Sequence, residues 1–227
     1  MAVRPGNFQQ NDTLNRYLLF FPRNANALND VHSFTGEEAL SQPYRYTIRF
    51  TSPNANIPPD AILNQKAEFL LRAPNPEASW HGQSSWLPVR QINGTITAFS
   101  RVKSSSDEAL YECVLEHELA LLNRNFRSAV YTDVTVPEVV TQLMKESRYF
   151  EGFNIDFDSL RCTYPRREMI IQWKETDLEF IRRLLAEVGI WFRLENHSTT
   201  PTETVVIFGD SASRYIRSEE HTSELQS

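Results

Sequence analysis

Glu168-Met-Ile-Ile-Gln-Trp-Lys-Glu-Thr-Asp-Leu-Glu-Phe-Ile-Arg-Arg-Leu-Leu-Ala-Glu-Val-Gly189 is the stretch on which the reading of this chain turns. It spells a strand, a turn and a helix. Thr176 with Glu179 three residues on predicts a capping box, in which the Thr hydroxyl accepts a first-turn N–H and the Glu reaches back to the cap. Asp177 and Glu179 also suit the positive end of the helix dipole. Leu178, Ile181, Leu184, Leu185 and Val188 recur at helical spacing and form one apolar stripe, while Arg182, Arg183 and Glu187 fall elsewhere on the wheel. Gly189 provides the stop, because glycine adopts the left-handed conformation that ends many helices. A strand over Ile190–Glu195 follows.

Working outward, the first half alternates short β-like runs with turn clusters, the rhythm of a barrel or sandwich. Strands are predicted at Arg16–Phe21, Val31–Thr35, Tyr44–Thr51, Ala67–Leu71, Val89–Ser100 and Ala109–Glu116. Tyr44, Tyr46, Ile48 and Phe50 alternate with Arg45, Thr47 and Arg49, as a half-buried strand does. Pro-rich and Asn-rich clusters between these runs cannot continue a ladder. Asn93-Gly94 fits a two-residue hairpin turn or a bulge in one long strand, and the bulge is preferred. Lys103–Asp107 is the better hairpin loop. Trp80, His81 and Trp86 fall in an expected loop, read as self-packed rather than as an exposed contact surface.

A second section begins near Phe126. Thr135 and Glu138 repeat the capping box, with Pro137 tolerated in the first turn, and Val140, Leu143 and Met144 supply the apolar face. A strand near Phe153–Phe157 is expected before the opening stretch. After it, 190–195 and 204–208 should pair across the polar loop Asn196–Glu203.

The order Gln172-Trp173-x-Glu175-Thr176-Asp177-Leu178-x-Phe180-Ile181, with Leu184, Leu185 and Gly189 beyond it, resembles the signature of VgrG, the tip protein of the bacterial type VI secretion system. That family is similar to the central hub of contractile phage tails. Ser41-Gln-Pro-Tyr-Arg-Tyr also resembles an early VgrG strand. The resemblance covers most of residues 14–216. It implies a mainly β fold with a few short helices (α+β), built as two β-barrel-like domains, the second incomplete at the C-terminus. The expected division is 1–125, 126–216 and a non-native tail over 217–227. The resemblance further implies a homotrimer seated on a hexameric Hcp-like tube, with baseplate and effector proteins as partners and no catalytic, cofactor or metal residues. It also implies assembly in the bacterial cytoplasm followed by export through the type VI system.

Composition agrees with that class. The chain holds 29 acidic and 23 basic residues and a net charge of -6, which disfavours a general grip on a nucleic-acid backbone. No apolar run approaches the length of a membrane span, so membrane insertion by this portion is not expected. Nor does the N-terminus carry the apolar core of a signal peptide. Arg217–Ser227 resembles the translation of a sequencing-library adapter, so the natural protein is expected to continue past Ile216. Cys113 and Cys162 lack metal-ligand spacing and are read as buried thiols.

Three groups invite an enzymatic reading. Val205-Val-Ile-Phe-Gly-Asp-Ser211 resembles the first block of GDSL-type hydrolases, with Ser211 as nucleophile, but the base that family supplies downstream is missing here. Glu116-His117-Glu118 lacks a second histidine at helical zinc spacing, and is read as a strand end with both carboxylates outward. Glu175, Asp177 and Glu179 form a run of carboxylates, two of which capping already explains.

Overall fold

A computed structural model of the chain describes residues 15–22, 29–76, 85–150, 154–200 and 202–212. These divide into two compact units, one running to Arg124 and including Asn196–Thr204, the other formed by Asn125–Glu195 and the residues from Val205 onward.

The first unit is a closed barrel of six strands: β1 (Tyr17–Phe20), β2 (Asp30–Glu37), β3 (Arg45–Ser52), β4 (Lys66–Pro74), β5 (Trp86–Ser104) and β6 (Ala109–Glu116). The spatial order is β1-β2-β3-β6-β5-β4, and β1 closes the ring between β2 and β4. Closure removes the exposed edges that an open sheet would present. Strands β3 and β6 pair without interruption from Arg45↔Glu116 to Ser52↔Ala109. That register sends Tyr46, Ile48, Phe50, Tyr111, Cys113 and Leu115 inward. The aromatic rings continue the packing, with Phe99 and Tyr111 stacked 5.3 Å apart and Phe50 5.6 Å from Tyr111. On the outer wall the same register sets Arg45 opposite Glu116 at 3.0 Å and Arg49 opposite Glu112 at 2.7 Å.

The nineteen residues of β5 serve two neighbours, β4 along Trp86–Thr95 and β6 along Thr95–Ser104. The preference for one long strand is met, but Gly94 carries no bulge, since it pairs regularly with Ala67. The irregularities fall at Val89, opposite the Leu71–Arg72 step of β4, and against β6 between Ile96 and Ala98 and between Arg101 and Lys103. Glycine at 94 answers a close approach instead: a Cβ there would lie 2.3 Å from the Glu116 carbonyl oxygen. Trp86 belongs to a strand, paired with Pro74, and not to the expected loop. Trp80 and His81 lie outside the described residues.

His117 also departs from expectation. The strand ends at Glu116, and His117 caps a 3-10 helix over Glu118–Asn123 by accepting the Leu119 N–H at Nδ1, 3.1 Å. With Nδ1 accepting, Nε2 carries the proton and donates to Thr204 Oγ1 at 2.9 Å, and that hydroxyl lies 3.4 Å from Glu118 Oε2. The ring is fully buried, and burial holds its pKa down at about 3, so the imidazole is neutral. Burial likewise raises the pKa of Glu118, which is not the outward carboxylate of the sequence reading. Asn196 adds to the same unit, donating to the Gln91 carbonyl at 2.9 Å and accepting from Asn93 at 3.1 Å. Lys66 and Glu203 pair at 2.8 Å.

The second unit holds β7 (Phe126–Val134), α1 (Val136–Glu146), β8 (Ile155–Ser159), β9 (Arg167–Thr176), α2 (Asp177–Glu187), β10 (Trp191–Asn196) and β11 (Thr204–Gly209). Its sheets are partial: a three-stranded sheet ordered β10-β11-β8 and a two-stranded ribbon of β7 and β9. The expected neighbours β10 and β11 lie side by side, and β8 runs parallel to β11. Phe153 lies outside the described residues, and β8 begins two positions later. Strand β7 had no counterpart in the sequence reading. Both helices carry the expected capping boxes, with Pro137 in the first turn of α1.

Candidate functional site

The opening stretch folds into β9 and α2, and its polar residues converge where the strand becomes the helix. Thr176 Oγ1 accepts the Glu179 N–H at 3.2 Å, and Glu179 returns to the Thr176 N–H at 2.9 Å. The Thr176 N–H lowers the Glu179 pKa first, followed by the Thr176 hydroxyl. Gln172, fully buried, donates its amide to Asp177 Oδ1 at 2.8 Å and to the Glu175 carbonyl at 3.2 Å. Arg127, from β7, reaches the same Asp177 oxygen at 2.7 Å, Gln172 Oε1 at 3.3 Å and Tyr131 Oη at 3.2 Å. Buried polar groups persist only when paired in this way. Sequence reading missed Arg127, whose partners lie 45 and 50 residues away.

Glu175 pairs with Arg183 at 2.6 Å, and Arg183 also meets Glu187 at 2.9 Å, the (i, i+4) spacing of neighbours on one helix face. Leu178, Phe180, Ile181, Leu184 and Leu185 are all buried. Phe180 stacks on Tyr131 with ring centres 5.7 Å apart. At the C-terminus Gly189 takes φ +72°, its N–H donates to Ala186 O at 3.3 Å, and Ile190 N–H donates to Leu185 O at 2.9 Å. That pair of bonds is a Schellman stop.

Trp173 is the exception in the stretch. Between Arg127↔Glu175 and Ala129↔Gln172 the register slips, leaving Trp173 and Lys174 opposite Ser128 alone. Lys174 takes the left-handed φ of 48°, and its N–H donates to Ser128 Oγ at 3.1 Å. A bulge of this kind turns a side chain out of the regular pleat, and Trp173 is 68% exposed.

The other candidates resolve into local structure. Asp210 accepts the N–H groups of Arg161 and Cys162, each at 2.8 Å, and the Tyr164 hydroxyl at 3.0 Å. The Cys162 N–H is the chief reason its carboxyl sits at about 2, burial opposing and Arg161 and Tyr164 adding to it. A Cβ on Gly209 would lie 2.3 Å from the Trp191 ring. The Gly209-Asp210 pair thus fills packing and anchoring positions. Cys113 is buried as expected, and burial, then Glu112, raises its thiol to about 12. Cys162 is exposed, against expectation, on the turn that Asp210 holds.

A six-stranded antiparallel barrel joined to a helix-braced β unit, with its most distinctive residues spent on capping and packing, has the character of an assembly module. Residues 37–226 match the family described as phage tail baseplate hub (GPD), and the chain belongs to that family. Among its relatives, the type VI secretion system spike protein VgrG5 of Pseudomonas aeruginosa is 31% identical over 192 residues, 82% of this chain and 21% of that protein. The actin cross-linking toxin VgrG1 of Vibrio cholerae is 27% identical over 70% of this chain, which spans 14% of the toxin. The E. coli c3393 protein is described as a type VI secretion component with structural similarity to the T4 bacteriophage tail proteins gp27 and gp5. It is 37% identical and superposes with a TM-score of 0.75 over 88% of this chain and 51% of its own. A Francisella PdpA–VgrG complex shares the fold, with a TM-score of 0.55 at 11% identity.

Proposed function

We propose that this chain is the hub portion of a type VI secretion spike, a trimeric collar that joins a needle tip to the hexameric Hcp-like tube beneath it. The observation that carries the reading is the closed barrel, formed by a sequence 37% identical to c3393 over 88% of its length. In this reading the second unit opens a second barrel-like domain, so that three copies present six barrels to six tube subunits. The hub assembles in the cytoplasm with baseplate and effector proteins, and travels with the tube when a sheath contracts. It makes and breaks no bond. The residues around Gln172, Thr176 and Asp177 act as a brace that fixes α2 against the ribbon of β7 and β9.

A hub of a contractile phage tail is the second reading, favoured by the family's own description. Sedimentation of the chain mixed with a hexameric Hcp-like tube protein tests the first, and the two should move together. A chain that sediments apart from the tube, or an esterase activity that Ser211→Ala abolishes, would overturn it.

A further inference from the structure

We draw no further inference here: the strongest candidate, the exposed apolar face of the β7–β9 ribbon formed by Phe126, Val130, Met169, Ile171 and Trp173, has Arg167 on the same side opposite Val134 and Lys174 at its border, and nothing in the structure shows what covers it.

Discussion

The barrel and the β7–β9 ribbon solve the same problem to different degrees. Both are antiparallel β structure with an apolar side to hide. In the barrel the sheet curls on itself, so that Ile48, Phe50, Phe69 and Tyr111 face one another and every strand has a neighbour on each side. The ribbon has two strands and a single covered face, sealed by the helices and the Arg127–Gln172–Asp177 network, and its other face stays apolar in the open. A closed sheet completes its own hydrophobic accounting within one chain, whereas a ribbon of two strands completes it only when something is laid over it. That contrast separates a part of the chain whose apolar side is fully enclosed from a part that leaves one apolar face exposed.

Substitutions should follow this contrast. The largest effect belongs to the barrel core: Phe50→Ala, fully buried against Tyr111, should cost about 3–5 kcal/mol in urea unfolding. A smaller loss would mean that the barrel is less closely packed than its register implies. The next effect is a pH dependence centred on His117 in the barrel unit. His117 has a folded pKa lowered from 6.5 to about 3. The unfolded chain therefore binds more protons in that interval, and stability falls as pH drops through it, by up to a factor of about ten in the unfolding equilibrium per pH unit. Glu118, raised by burial, works the other way, because its charge is costly at neutral pH and is relieved by acid. Comparing the urea midpoints of the parent chain and His117→Gln at pH 7 and pH 4.5 isolates the histidine, and the variant should lose most of the acid sensitivity.

In the second unit the effects should be local. Gln172→Ala leaves Asp177 without its buried amide donor and should cost about 1–3 kcal/mol. Thr176→Ala removes the cap of α2 and should cost about 1 kcal/mol. In both cases amide exchange should accelerate in α2 before the barrel. The smallest effect is expected on the outer face, where Trp173→Ser should shift the stability of the isolated chain by less than about 0.5 kcal/mol. A large loss there would show that Trp173 packs within its own copy.

Much of the barrel could be read in advance because its strands keep a strict two-residue period. Tyr46, Ile48 and Phe50 announce β3, and β6 begins and ends where its alternation does. Both helices were legible from their caps, since Thr135–Glu138 and Thr176–Glu179 are local signals that survive in any tertiary setting. Strand β7 was not legible, for the reason that makes it interesting. Phe126 and Val130 point outward while Tyr131 points inward, so apolar residues fall on both faces and the period is lost. The polar site was only half visible: Gln172 and Asp177 stood out in the sequence, whereas Arg127 joins them through a contact across 50 residues. The bulge at Lys174 left no trace either, because lysine has no special preference for positive φ. His117 misled in the opposite sense, its acidic neighbours giving a fully buried ring the look of an exposed strand end.

Hydrogen exchange read peptide by peptide tests most directly whether the barrel is complete in itself while the ribbon is covered on one face alone. The account predicts that the amides of β3 and β6 exchange at least about tenfold more slowly than those of Phe126–Val134 and Arg167–Thr176. Protection of the ribbon equal to that of the barrel would contradict it.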